Sequence, residues 1–167
     1  MPPLSPRTRF AALLAALSLA LPVPASAADR QPHSWVAAWG TSQAALGAVA
    51  LTDATVRVIA RVTIPGDGVR IRLDNTYGTS PVTFGSVRVG QRIQNAEVAA
   101  GSNRPVLFGG TPGVTVPAGG SAVSDPVELQ VYAQQDLAVS LYVPGEGVRP
   151  SQHSGAVVTS YYTANGA

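Results

Sequence analysis

The sequence predicts an all-β protein, an antiparallel two-sheet sandwich of jelly-roll type that follows a cleaved signal peptide. Short runs rich in Val, Ile, Thr and aromatic residues alternate in character along the chain, the pattern of half-buried strands. Seventeen glycines and fourteen prolines break these runs at short intervals, as turns require. After Thr55 no segment sustains apolar residues at i, i+3, i+4 and i+7, the spacing of a helix that buries one face.

The chain begins with a segment of different character. Arg7 and Arg9 precede the apolar run Phe10–Leu21 (FAALLAALSLAL), which leads into Pro22, Pro24 and the triplet Ala25-Ser26-Ala27. A basic start, a short apolar stretch and an A-x-A site form a secretory signal. The run falls short of the roughly 20 residues that a membrane-spanning helix needs. The expected division is a signal peptide over 1–27, a lead segment over 28–54, a β-sandwich over 55–163, and the start of a linker over 164–167. The expected location is periplasmic or extracellular, with no membrane span after cleavage.

In the lead, Ala28–Ser34 is polar and reads as flexible. Trp35 and Trp39 stand four residues apart, a spacing that shares a face in a helix and in a strand alike. They read as apolar anchors, with a sugar-stacking platform as the alternative. Gln43–Thr52 is Ala-rich and reads as a loop or one short helix.

The stretch Thr55–Gly78 (TVRVIARVTIPGDGVRIRLDNTYG) organises the prediction. Pro65-Gly66-Asp67-Gly68 suits a hairpin turn, which pairs Ile64 with Val69, Val62 with Ile71 and Ala60 with Leu73. Val58, Ala60, Val62, Ile64, Val69, Ile71 and Leu73 then share the core face. Arg57, Ile59, Arg61, Thr63, Arg70, Arg72 and Asp74 share the other. That register sets Arg61 opposite Arg72 with Arg70 diagonal to both, which is unfavourable unless acids or a partner neutralise the charge. Arg61, Arg70 and Arg72 are therefore a candidate docking or acidic-ligand face, against the plainer reading of a solvated face with Asp74 as counter-ion.

Further strands are expected over Val82–Ile93 with a bulge near Gly85, Val106–Phe108, Val114–Val116, Val127–Val131, Asp136–Val143 and Ala156–Thr163. In Asp136–Val143, Leu137, Val139, Leu141 and Val143 face one way, and Ala138, Ser140 and Tyr142 the other.

Charge and composition exclude several functions. The net charge of +2 comes from the signal, because without Arg7 and Arg9 nine arginines balance nine acids. A balanced domain has no electrostatic footprint for nucleic acid. With no cysteine, no lysine and two histidines without metal-ligand spacing, neither a disulfide framework nor a zinc site is expected. No cofactor is expected either. The acids Asp53, Asp67, Asp125 and Asp136 sit at turn positions, where capping accounts for them. No G-x-S-x-G elbow occurs. His153 reads as a solvated loop residue; a small enzyme using Ser154 or Ser42 with His153 has no orienting acid in motif position.

The segments WVAAWGTSQ, TVRVIARVTIPGDGVRIRLDNTYGTSPVTFGSVRVG, VLFGGTPGVTVPAGGSAVSDPVELQV and DLAVSLYVPG resemble the N-terminal β-sandwich of secreted bacterial SGNH/GDSL hydrolases, which are esterase- and lipase-like enzymes. The resemblance runs from about Trp35 to Tyr162, and its most specific part is RLDNTYG at Arg72–Gly78. It implies a following catalytic domain that carries a GDS serine, an oxyanion glycine, a G-x-N-D asparagine and a D-x-x-H pair. None of these occurs here; Gly101-Ser102-Asn103-Arg104 is not the G-x-N-D block. The expectation is a non-catalytic accessory domain, truncated before the active site, that packs on the catalytic domain and shapes its entrance. On that reading no catalytic residue carries over, and the acyl ester substrate belongs to the missing half. Self-association through an uncovered face is a further expectation. The alternative is a stand-alone extracellular module that binds polysaccharide through Trp and Tyr side chains such as Tyr132, Tyr142, Tyr161 and Tyr162.

Overall fold

The computed structural model describes residues 34–153, 155 and 158–166, and among these every regular element is a strand. In chain order they are β1 (Ala45–Leu46), β2 (Ala54–Arg61), β3 (Gly66–Val69), β4 (Arg72–Asp74), β5 (Val82–Phe84), β6 (Ser86–Gln91) and β7 (Arg104–Val106). They continue as β8 (Val114–Val116), β9 (Ser121–Val123), β10 (Val127–Val131), β11 (Asp136–Val143), β12 (Ser151–Gln152) and β13 (Tyr161–Tyr162). The expected signal peptide, most of the 28–34 lead, Ser154 and the Ala156-Val157 pair lie outside the described residues.

A five-stranded antiparallel sheet, in the order β13-β2-β11-β6-β7, forms one layer of the unit Val36–Ala167. Its central strand, β11, buries both faces: Leu137 and Val139 on one, Ala138 and Ser140 on the other. Leu137 and Val139 join Val87, Val89 and Val106 from the neighbouring strands in the hydrophobic core. Leu73 of β4, Val116 of β8, Val127, Leu129 and Val131 of β10, and Val62 and Phe108 complete that core. The strand residues among these come from the two-stranded pairings β4–β9, β5–β8 and β3–β10. The result is a sandwich-like all-β arrangement. Each fully buried Val contributes roughly 1.5–3 kcal/mol relative to exposure, so Val87, Val89, Val106 and Val116 carry much of the cohesion.

The hairpin expected over Thr55–Gly78 does not form. β2 pairs along its whole length with β11, from Ala54↔Val143 to Arg61↔Asp136. β3 pairs with β10, and β4 with β9. The two-residue turns that reverse a hairpin need positive φ, and none of the residues from Pro65 to Gly68 adopts it. Gly66-Asp67-Gly68 is extended strand instead. Gly85, expected as a bulge, lies at a change of partner: β5 before it pairs with β8, while β6 after it pairs with β11.

The Gln43–Thr52 segment is neither plain loop nor helix. Its backbone continues the β2–β11 ladder outward. Leu51 exchanges two hydrogen bonds with Val148 at 2.8 and 2.9 Å, Gly47 N–H reaches Pro150 O at 2.8 Å, and β1 pairs with β12. Of the Ala156–Thr163 run, Tyr161 and Tyr162 form a strand on the free edge of β2.

Candidate functional site

The arginine face predicted from the hairpin is rearranged by the true pairing. Arg61 lies opposite Asp136, and Arg72 opposite Val123. Arg70 follows the end of β3. Arg61 and Arg72 thus belong to different strand pairings and Arg70 to none, and the register that placed them on one face does not hold. Arg61 grips Asp136 with two hydrogen bonds, Nε to Oδ1 at 2.7 Å and Nη2 to Oδ2 at 3.2 Å. Arg92 Nη1 reaches the same carboxylate at 2.8 Å. The Arg61 hydrogen bond, followed by the Arg92 hydrogen bond and the two positive charges, holds the Asp136 carboxyl below the usual carboxylate range despite its burial. Arg72 sits 3.7 Å from Asp74 in an exposed pair.

Four other arginines have a common task. Cross-strand register aligns Arg57, Ser140 and Arg88 in one row on the side of the sheet away from the core. Arg57 Nε donates to Ser140 Oγ at 2.8 Å, and its Nη1 donates to Ala96 O. Arg88 Nη2 donates to Asn103 O at 3.1 Å, Arg92 Nε to Asn95 O at 2.8 Å, and Arg104 Nη1 to Gly101 O. Every carbonyl named belongs to the segment 93–103. The guanidinium forks clamp this loop over the sheet. A Cβ at Gly90 would come within 2.5 Å of Val98 Cγ1, so the loop rests on the adjacent row Ile59–Ala138–Gly90. This explains why Ile59, assigned to the polar face from sequence, is only 4 % exposed. Sequence reasoning overlooked the clamp. The available signal was Ile59 itself, a large apolar residue between Arg57 and Arg61.

The RLDNTYG segment is also a construction element. Asn75 is 5 % exposed, and its Nδ2 donates to Ser80 O, Val116 O and Pro117 O at 3.0 to 3.2 Å. Its own carbonyl accepts from Gly78 and Gly119, and its N–H donates to Gly120 O. One residue thus closes the 75–80 turn against the 116–120 turn. Gly78 is required beside it, because a Cβ there would lie 1.8 Å from Asn75 Oδ1.

The Ser42–His153 pair meets in space but not in a catalytic geometry. His153 Nδ1 lies 2.7 Å from the Ser42 carbonyl oxygen and 3.5 Å from Ser42 Oγ. A carbonyl only accepts, so Nδ1 carries the proton and cannot take one from the hydroxyl. Both residues are exposed, and the contact fastens the far end of the β1–β12 ribbon. Among the described residues, no three His, Cys, Asp or Glu side chains cluster to hold a metal ion.

Two adjoining clefts of about 370 and 310 Å³ lie between β7 and β10 and share Arg104 and Glu128. The Asp125 N–H to Leu107 O bond at 2.7 Å crosses at one end, and Gln91 Nε2 to Gln130 O at 3.1 Å at the other. Pro105 and Pro126 line the walls and offer no N–H, so the edge of β7 is poorly suited to adding another strand.

No protein-family model matches this chain, and no curated protein matches it.

Proposed function

We propose that this chain is the non-catalytic accessory domain of a secreted SGNH/GDSL-type ester hydrolase, a jelly-roll β-sandwich that packs on a catalytic domain and shapes its entrance. The observation that carries this reading is the role of the residues most specific to the resemblance. Asn75 and Gly78 of RLDNTYG bind two turns together, so the likeness lies in scaffold and not in reacting groups. The contact of His153 Nδ1 with the Ser42 carbonyl supports the same reading, because it leaves that nitrogen unable to act as base toward the Ser42 hydroxyl. The partner is a catalytic domain, and the ester substrate is bound there. On this reading Met1–Ala27 is an export signal and both domains work outside the cytoplasm.

The purified chain tests this on p-nitrophenyl acetate and butyrate. It is expected to show no hydrolysis above buffer, and to form a stable complex with an SGNH catalytic domain expressed without its own sandwich. Hydrolysis by the chain alone that a serine-directed reagent abolishes would contradict the proposal.

A further inference from the structure

Around Val62–Thr63, three backbone segments are tied side by side. Thr63 donates to Ala38 O twice, from its N–H at 3.0 Å and its hydroxyl at 2.8 Å. On the preceding residue, Val62 N–H donates to Gln135 O at 2.9 Å, and Val62 O accepts from Gln134 N–H at 2.7 Å. Val62 is thus joined to the turn 132–135, and Thr63 to the segment around Ala38.

Each of the three segments leaves a large apolar or aromatic side chain in solvent. Trp39 is 43 % exposed, Ile64 37 % and Tyr132 62 %. Their polar surroundings are amides and a hydroxyl: Gln134, at the tip of the turn with φ of 65°, Gln135 and Thr63. Gln135 accepts from Tyr132 N–H through Oε1 at 3.0 Å, which leaves its NH₂ as a donor. The Asp136 carboxylate that follows Gln135 is paired with Arg61 and Arg92.

Exposed aromatic groups with uncharged amides beside them suit a ligand that is apolar on its ring faces and rich in hydroxyls at its edges. Neutral sugars have that chemistry. We propose that Trp39, Ile64 and Tyr132, with Gln134 and Gln135, form a binding surface for a neutral polysaccharide. This site stands independently of the accessory role proposed above.

Calorimetric titration of the purified chain with cellohexaose, xylohexaose and chitohexaose, and with polygalacturonate as an acidic comparison, tests it. Saturable binding to at least one neutral hexamer is expected, at least tenfold weaker in both Trp39→Ala and Tyr132→Ala. Tyr162→Ala, which removes an equally exposed ring on β13, should keep the affinity. Thermal melts of the variants establish that they fold, since neither ring is buried. Binding to none of the three hexamers, binding to polygalacturonate alone, or full affinity in either Trp39→Ala or Tyr132→Ala would overturn the proposal.

Discussion

Two loop regions of this molecule are held by side-chain nitrogens aimed at backbone carbonyls, and they are held in opposite ways. Over the sheet, four separate arginines each reach one carbonyl of the 93–103 loop from partly solvated positions. At the 75–80 and 116–120 turns, one buried amide serves three carbonyls. The first arrangement spreads the task over long side chains, each holding its own point of the loop, and water can hydrate a carbonyl that loses its guanidinium, so one loss costs little stability while it frees the loop. In the second, the amide sits where water cannot substitute, so the whole corner depends on it. A buried donor lost without replacement strands its acceptors, whereas a solvated one leaves them hydrated. The difference in burial, more than in bond count, sets how much each residue matters.

The largest effects are expected at the corner. Asn75→Ala should cost about 3 kcal/mol, because the buried Val116 carbonyl and two part-buried ones lose their donor, and Gly78→Ala a similar amount of about 3 kcal/mol through steric overlap. The double variant sharpens the comparison. Removing the Asn75 side chain also removes the atoms that a Cβ at residue 78 would strike, so the two costs should add to clearly less than their sum in urea unfolding.

Next comes the clamp. Arg92→Met removes the contacts to Asp136 and Asn95 O and should cost about 1–2 kcal/mol. Arg61→Ala should have the smallest effect and the strongest dependence on salt, since its side chain is 58 % exposed.

Acid separates the two regions again. The Asp136 carboxyl is depressed in the folded state, chiefly by its hydrogen bond from Arg61. Its contribution to stability is therefore complete above the unfolded carboxylate value and is lost as pH falls through the lower folded value. Asp74, lowered by its hydrogen bonds with Thr76, acts in the same direction. Asp136→Asn should flatten the acid limb of a stability–pH profile, whereas Asn75→Ala should lower the profile at every pH. An unchanged acid limb in Asp136→Asn would show that its ion pairs contribute nothing.

The same contrast accounts for what the sequence made legible. β10 and β11 could be read from alternation alone, and the break at Gly85 from its glycine. Pairing could not be read, because β2 and β11 meet across about 75 residues of chain and nothing local names that partner. Gly66-Asp67-Gly68 was misleading, since glycine permits a turn without requiring one. β9 (Ser121–Val123), β1 and β12 went unrecognised because Ser, Ala and Gln carry little strand preference. Among the candidate site residues, Arg61 was identified as a charge that needs a partner, but Asp136 could be assigned only from the fold. Arg57, Arg88, Arg92 and Arg104 looked like ordinary surface charge, because a carbonyl acceptor leaves no trace in side-chain composition.

Amide hydrogen exchange in the wild type, Arg57→Met and Asn75→Ala tests the clamp most directly. In Arg57→Met, the amides of Glu97, Ala99 and Ser102, which hydrogen-bond within the loop and to Gln91, should lose protection, while Gly78, Gly119 and Gly120 keep theirs. Asn75→Ala should reverse the pattern. Unchanged protection of the 93–103 loop in Arg57→Met, or an equal loss at both regions in both variants, would contradict the assignment of the arginine face to clamping this loop.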